Sequence, residues 1–479
     1  VYTQQTFEAS LTGDLFDLPA GPIAFAVGAS YRVDEILDTP GAITLANNAW
    51  GNTGAGITAG DSKTAEVFGE LDIPVFKDMP LVESFNISLA GRHTDVSTIA
   101  GNGDQTYKVG ANWKVNDFLR FRGSYGTSFR APHLFELYLA NQTSFIAQRN
   151  IDPCIQWQAN LLAGNISQQT ADNCQADGVP PAFNGGAITA TVVTGGGLGV
   201  VEPETSVAKS VSAIMNFNEF LPDDLRFSVA VDYFEIEVNG EIAQLGAANI
   251  IGGCYSSTTP FPGDALCNLF ERNKDIGVFV DPNAIATVRD SFININSQVN
   301  RGIDLTARLG HDLPDDWGSL TLLAQMTWQL EDTVALFAGQ EQSVNGEDGE
   351  PKWVGDFNLS WDGPDGWSAL WGMDVIGQTS DQADFLEANG ASCVFSATRE
   401  RTYCPDLTAP MTFYHSISTT KEFEDWTITL GIANLTDQAP PRMSVQNLGE
   451  VSTVGQSPFT SNYDYQGRRG FLSVTKKFN

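Results

Sequence analysis

The sequence lacks any run of about 18 apolar residues, the length that a transmembrane helix requires. It is also poor in positive charge, because Lys and Arg together number 26 whereas Asp and Glu number 58, for a formal net charge of −32. The first absence excludes a helical membrane protein, although strands of about 10 alternating residues can still cross a membrane. The second argues against a nucleic-acid partner, since phosphate binding needs clustered positive charge.

Histidine is scarce as well, with four in the chain. They lie far apart, and neither a Ser/His/Asp arrangement nor a metal-binding helix motif surrounds them. Because catalytic sites need converging acid, base or nucleophile groups, we expect no enzymatic activity and no cofactor. The acidic run at 345–350, together with Asp381 and Asp384, offers oxygen ligands that calcium accepts. The full spacing of a calcium loop is not met, so we expect solvated loops and no metal site.

Six cysteines fall in three pairs, and each pair shares one polar, turn-rich segment. None forms a Cys-x-x-Cys motif and no histidine lies close to them, which disfavours zinc. Pairing between neighbours needs no long-range crossing, so we predict three local disulfides and an oxidising compartment. The predicted pairs are Cys154 with Cys174, Cys254 with Cys267, and Cys393 with Cys404.

Alternation of apolar and polar residues is the dominant pattern of the chain. Within 118–138, Phe121 and its apolar neighbours occupy one face, whereas Arg120 and Arg122 occupy the other. Successive side chains of a strand point to opposite sides, so the two arginines face water. Arg308 stands on the polar face of a later strand. In a barrel these three arginines are predicted to face the lumen.

The pattern recurs in about 15 strands, and the connections alternate strictly between short and long. This predicts an all-β fold, a transmembrane antiparallel β-barrel with short periplasmic turns and long extracellular loops. A soluble β-propeller is the alternative, but the repeats of roughly 40 residues typical of propellers are not found. We predict one barrel domain over 1–479 with major extracellular loops at 33–63, 129–203, 239–296, 331–350, 379–410 and 435–466.

One strand departs from the alternation, because its apolar residues change face at Phe234, Ile236 and Val238. Either a β-bulge or the exit of the strand from the membrane into its loop accounts for this change. In the following loop, the segment 265–272 indicates a short helix.

Four segments of the chain carry a recognisable family pattern. They are Ser128–Pro132 with Leu134–Tyr138, Val201–Ser206, Gly431–Asp437 with Pro440 and Pro441, and Gly467–Arg469. In this order and spacing they resemble the signatures of TonB-dependent outer-membrane receptors. The resemblance covers nearly the whole chain and implies the C-terminal part of a 22-stranded plugged barrel in the bacterial outer membrane. It also implies active uptake of a scarce nutrient, powered by TonB acting on an N-terminal plug that does not appear in this sequence.

A chain that ends at the periplasmic rim fixes the direction of every strand. The strand that begins near Phe118 then runs outward and places Arg130 at the outer rim. An open sheet edge in lipid leaves unpaired backbone groups, each destabilising by several kcal/mol. We therefore expect an odd number of further strands, about seven, to precede Val1. Missing sequence or a second chain would supply these strands and the plug.

Five loop aromatics are candidates to stack on a sugar or an aryl group, although the same rings can instead hold the loops together. The acidic balance favours an oligosaccharide or another small neutral solute over a ferric siderophore. Expected partners are outer-membrane lipid and lipopolysaccharide, the plug and remaining strands, TonB, and the nutrient. A passive substrate-specific channel and a surface-binding or adhesion barrel are the alternatives to an importer. The five aromatics are Phe145, Trp157, Tyr255, Phe270 and Tyr403.

Overall fold

Strands account for most of the chain in the computed structural model of the protein. A 16-stranded sheet contains fifteen long strands in chain order, each hydrogen-bonded to the next, and the short segment Glu341–Ser343 at its margin. The long strands are β1 Tyr2–Leu18, β2 Gly21–Asp38, β3 Thr58–Met79, β4 Val82–Val96, β5 Asp104–Lys114, β6 Leu119–Arg130, β7 Glu204–Asn216, β8 Leu225–Asn239, β9 Ser297–Asp312, β10 Ser319–Ala335, β11 Trp353–Asp362, β12 Trp367–Ile376, β13 Thr412–Glu422, β14 Trp426–Ala433 and β15 Arg469–Lys476.

The described part of the chain covers most of its length. No helix within it is long and apolar enough to cross a membrane. Parts of the predicted loops lie outside the described residues. Those residues are 1–46, 48, 53–99, 103–185, 189–273, 282–295, 297–336, 341–396, 401–444 and 462–478.

Connections alternate in length along the whole sheet. Short turns such as 19–20 and 80–81 lie at one rim, and the long connections 131–203 and 240–296 leave the opposite rim. β6 ends at Arg130 on the rim of the long connections, as predicted. In the described residues the sheet begins at β1 and ends at β15 without pairing between them. The number of strands and the alternation of short and long connections therefore agree with the barrel prediction.

Each strand has one apolar face and one polar face. Leu89 in β4 lies opposite Leu71 and Val109, and all three are on the apolar face. Ser88, the preceding residue, lies opposite Asp72 and belongs to the polar face. The apolar face leaves large side chains exposed along the sheet, which is the surface that a barrel turns toward lipid.

One predicted loop near the rim needs correction, and one of two alternatives that the sequence left open is excluded. β2 and β3 extend into the predicted loop 33–63, so that connection is 39–57. β8 contains no bulge, because its register with β7 and β9 is continuous through Asn239. Phe234 instead occupies the polar face, where a Cβ at Gly302 would lie 2.5 Å from its ring. Glycine on β9 thus makes room for an apolar ring as the strand leaves the membrane zone.

The long connections contain short helices and strands. α4 begins after Ser167, whose hydroxyl accepts a hydrogen bond of 3.1 Å from the Thr170 amide and so caps the helix. The segment predicted as a helix at 265–272 is a 3-10 helix, Ala265–Leu269, followed by a strand. The α-helices are α1 Ala42–Leu45, α2 Leu134–Tyr138, α3 Trp157–Leu162, α4 Gln168–Ala176, α5 Ala247–Ser256 and α6 Gln382–Asn389.

The remaining elements are shorter. The other 3-10 helices are Gln148–Asn150, Asn218–Phe220 and Pro364–Gly366. The short strands are Gln142–Ala147, Thr189–Thr194, Ile242–Ala243, Phe270–Arg272, Ile285–Arg289, Ile293–Asn294, Thr379–Ser380, Val394–Ser396, Arg401–Tyr403 and Thr408–Ala409.

The two longest connections fold together into one body, which we call the loop unit (residues 131–203 and 240–296). Thr189–Thr194 of the first connection pairs in parallel with Ile285–Arg289 of the second, and one further strand from each connection completes a four-stranded sheet. Two of the three disulfides lie in its hydrophobic core. All three disulfides join the cysteines that the sequence pairs, 154 with 174, 254 with 267, and 393 with 404.

Candidate functional site

Polar side chains from β3 to β8 line a cavity of about 500 Å³ on the polar face of the sheet. Arg122 projects into it, with its Nη2 atom 3.6 Å from Oδ1 of Asp232 on β8. Ser212 donates a hydrogen bond to the same carboxylate, and Ser124 is hydrogen-bonded to Ser210 at 2.8 Å. The cavity therefore offers two basic groups, Lys108 and Arg122, beside serine hydroxyls and the carboxylates of Asp72 and Asp232.

A second cavity, of about 570 Å³, adjoins the first through Asp232 and is acidic. Asp232 lies directly opposite Asp304, and Asp356 lies directly opposite Asp374. The Thr327 hydroxyl donates to Asp304 at 2.6 Å. Like charges placed opposite each other destabilise a sheet, so this acidic wall does not serve the stability of the strands. It can attract cations and accept hydrogen bonds from a solute.

The predicted lumen arginines all stand on the polar face. Arg122 lines the first cavity, and Arg120 lines a third cavity of about 590 Å³ near the short turns. Arg308 is exposed and lies on the same face of β9 as Asp304. Sequence reasoning did not single out the acidic wall. The available signal was the recurrence of aspartate at polar-face positions of successive strands.

Arg130 organises the rim where the longest connection begins. Its guanidinium binds Glu136 of α2 through two contacts of 3.0 Å, and its Nε lies 2.7 Å from Glu204 at the start of β7. Glu204 also accepts a hydrogen bond of 2.7 Å from the Ile242 amide, in the second long connection. Burial raises the pKa of neighbouring Glu241, and the charge of Glu204 adds to the rise. Arg130 and Glu204 together thus link the sheet to both parts of the loop unit.

α2 then reaches back across the rim to β3. The Tyr138 hydroxyl donates to the Asp61 carbonyl at 2.9 Å, and the Ala140 amide donates to the Thr58 hydroxyl at 3.0 Å. A polar cavity of about 260 Å³ lies at the same rim. It is lined by β1, β2, β3, β4 and β6 and by the start of the first long connection. Asp34 in its wall is bound by Arg32 at 2.8 Å and by other donors. The loop unit therefore covers part of the mouth of the polar face.

The five predicted ligand-binding aromatics fall into two groups. Tyr255 is fully buried, and Trp157 and Phe270 are buried with it in the loop core. Their polar atoms are satisfied internally, since Trp157 donates to the Val179 carbonyl at 2.9 Å. These three rings hold the loops together, which is the alternative role that the sequence left open. Phe145 and Tyr403 are 55% and 47% exposed, and their ligand role stays a prediction.

Tyr255 belongs to a buried charged cluster. Its hydroxyl donates to Asp177 at 2.6 Å, and burial raises its pKa well above the ordinary value. Arg272 lies beside it and binds Asp152 at 2.6 and 2.9 Å and Asp177 at 2.9 Å. Tyr255, Asp177, Arg272 and Asp152 thus bind one another inside the loop unit.

The acidic segment 345–350, considered above as a possible calcium site, makes contacts within the loops. The Asp348 amide donates to the Asp381 carboxylate at 2.8 Å, and the Gly346 amide donates to the Glu350 carbonyl at 2.8 Å. Burial raises the pKa of Asp381, and nearby Asp384 adds to the rise. No group of three or more His, Cys, Asp or Glu side chains suited to a metal ion occurs in the described part of the chain.

A family model described as the β-barrel of TonB-dependent receptor-like proteins matches residues 1–435. The chain belongs to this family. This TonB-dependent receptor barrel is accordingly a protein of the bacterial outer membrane, with its apolar strand face toward lipid. No curated protein matches its sequence.

Several solved structures with a similar fold are named as siderophore or ferric enterobactin receptors. The siderophore receptor PirA from Acinetobacter baumannii has a TM-score of 0.57 at 14% identity, over 100% of this receptor barrel and 55% of its own chain. The ferric enterobactin receptor PfeA from Pseudomonas aeruginosa has a TM-score of 0.58 at 14% identity, over 100% and 54%. PirA from Pseudomonas aeruginosa has 0.52 at 13%, over 100% and 57%. The receptor barrel thus spans about half the length of these chains.

Proposed function

We propose that this barrel is the larger part of an active importer that takes up a scarce nutrient in a TonB-dependent manner. The observation that carries the proposal is that polar side chains line one face of the strands. Connected polar cavities run along one face of the strands, and a folded loop unit anchored by Arg130 covers one end of that face. The family match supports the same function.

We infer that the cargo is a ferric siderophore. The structural neighbours are named for siderophores, which reverses the preference for an oligosaccharide drawn from the acidic composition. The acidic wall still bears on the choice among siderophores, because Asp304, Asp356 and Asp374 repel anions. A neutral ferric hydroxamate fits this wall better than a strongly anionic ferric catecholate. Phe145 and Tyr403 are the exposed aromatic candidates for ligand contact.

The partners follow from the same proposal. Further strands pair with the edges of β1 and β15. A plug domain fills the lumen that the polar face lines, and TonB acts on the plug. Lipopolysaccharide and phospholipid cover the apolar face.

Binding to the full-length receptor tests the cargo. The receptor is titrated separately with a neutral ferric hydroxamate, a ferric catecholate and a linear maltooligosaccharide, and its intrinsic fluorescence is measured. The hydroxamate is expected to bind most tightly, and Asp356→Asn with Asp374→Asn is expected to improve catecholate binding several-fold. Binding of the sugar alone would reject the siderophore and leave the importer untouched.

Uptake by cells tests the importer separately. Accumulation of the bound cargo is expected to stop when TonB is deleted or the proton gradient is collapsed. Accumulation that continues would favour a passive channel, and binding without accumulation would favour a surface-binding barrel.

A further inference from the structure

Two lysines near the end of the chain are each held between two aromatic rings. The Lys421 ammonium lies 5.1 Å from the ring centre of Trp367 and 5.7 Å from that of Phe423. The Lys476 ammonium lies 4.9 Å from the ring centre of Trp426 and 5.2 Å from that of Phe478. Such cation–π contacts fix the position of an ammonium that would otherwise move freely.

Both sites lie on the apolar face, at the rim of the short turns. Lys421 is opposite Trp367 on β12 and Ile428 on β14, and Lys476 is opposite Trp426. The neighbouring apolar side chains, including Leu430, are exposed. Aromatic rings at this depth mark the boundary between hydrocarbon and headgroups. The two ammonium groups therefore stand at the level of lipid headgroups.

In the described part of the chain the lysines that form ion pairs are Lys114 and Lys209, so neither Lys421 nor Lys476 has a carboxylate partner there. Lys421 donates one hydrogen bond to the Asp365 carbonyl, which carries no charge. Lys209, at the opposite end of the same apolar face, is bound to Glu235 at 2.7 Å. Lys421 and Lys476 lie on β13 and β15, with β14 between them, so both ammonium groups at this rim are open to an anion from outside the protein.

We propose that Lys421 and Lys476 form a binding site for the phosphate headgroup of an anionic glycerophospholipid. The remaining ammonium donors make charge-assisted hydrogen bonds to the phosphate oxygens. The four rings pack against the glycerol and the first carbons of the acyl chains. The site selects anionic over zwitterionic phospholipids in the leaflet at the short-turn rim, independently of what the receptor imports.

Native mass spectrometry of the full-length receptor tests the site. Phosphatidylglycerol and phosphatidylcholine with identical acyl chains compete for the protein in mixed micelles. Wild type is expected to retain phosphatidylglycerol preferentially. Lys421→Gln and Lys476→Gln should each lower that preference about fivefold, because a lysine near a charged surface contributes on that scale.

Matched variants separate charge from position. Lys209→Gln removes an ion-paired lysine from the other rim and should leave the preference unchanged. Lys421→Arg with Lys476→Arg should preserve it. Trp426→Leu should weaken it while keeping the charge, because Lys476 loses one of its rings. Equal binding of both lipids by wild type, or an equal loss with Lys209→Gln, would overturn the proposal.

Discussion

Arg130 and Arg272 use the same device at two depths of the structure, a guanidinium shared between two carboxylates. Arg130 is partly exposed at the rim of the sheet, whereas Arg272 is buried between Asp152 and Asp177. The planar fork of arginine suits such double contacts, and lysine does not replace it well. A buried pair holds its geometry, but losing one partner leaves an uncompensated charge.

Replacement of Arg272 by methionine should therefore open the loop unit. We expect a loss of about 3–5 kcal/mol in its free energy of unfolding, since Asp152 and Asp177 would remain buried without their cation. Hydrogen exchange of Thr189–Thr194 and Ile285–Arg289 in the folded receptor measures the change.

Arg289→Met provides the control on a neighbouring strand. Its partner Glu271 is as exposed as Arg289 itself, so the pair contributes about 0–1 kcal/mol. Equal exchange rates in the two variants would mean that the buried cluster does not stabilise the loop unit.

The loop unit is the element that adds most to the barrel. Its two connections are separated in sequence by β7 and β8, yet they share one core and one small sheet. Arg130 ties this unit to the strands through Glu136 and Glu204. The resemblance segments Ser128–Tyr138 and Val201–Ser206 therefore mark the anchor of the loops.

Disulfide reactivity should follow burial within these elements. Cys154, Cys174 and Cys254 are fully buried, whereas Cys404 is exposed and lies in a different connection. Because exchange requires access of a thiolate to sulfur, a mild reductant should open the bond of Cys404 first. Alkylation followed by peptide mass spectrometry reports the order. In denaturant the three bonds should react together, and the same order there would refute burial as the cause.

The whole molecule depends on keeping its two strand faces distinct. Apolar residues cover one face from β1 to β15, and the charged residues that line the cavities lie on the other. A shift of one residue in any strand would exchange these faces, so the alternation also fixes the register.

Adjacent residues at the middle of β4 test this division. Leu89→Arg should destabilise the folded receptor in lipid vesicles by about 2–4 kcal/mol, because a cation would face hydrocarbon. Ser88 lines the first polar cavity, so Ser88→Arg should change stability little. Urea titration of both variants measures the difference. A larger loss for Ser88→Arg would invert the assignment of the faces.

The sequence by itself determined most of the strands and the disulfide pairs. Alternation, turn residues and neighbouring cysteines are local features, so they can be read without knowing which strands meet. The placement of Arg130 at the rim of the long connections followed from the same local order.

Only the tertiary structure decided which side chains meet. It buried Tyr255 and Trp157, placed Asp232 opposite Asp304, and set Lys421 between Trp367 and Phe423. These contacts join residues from different strands or from separate connections. They depend on register and on the packing of the loops, which the alternation of a single strand does not specify.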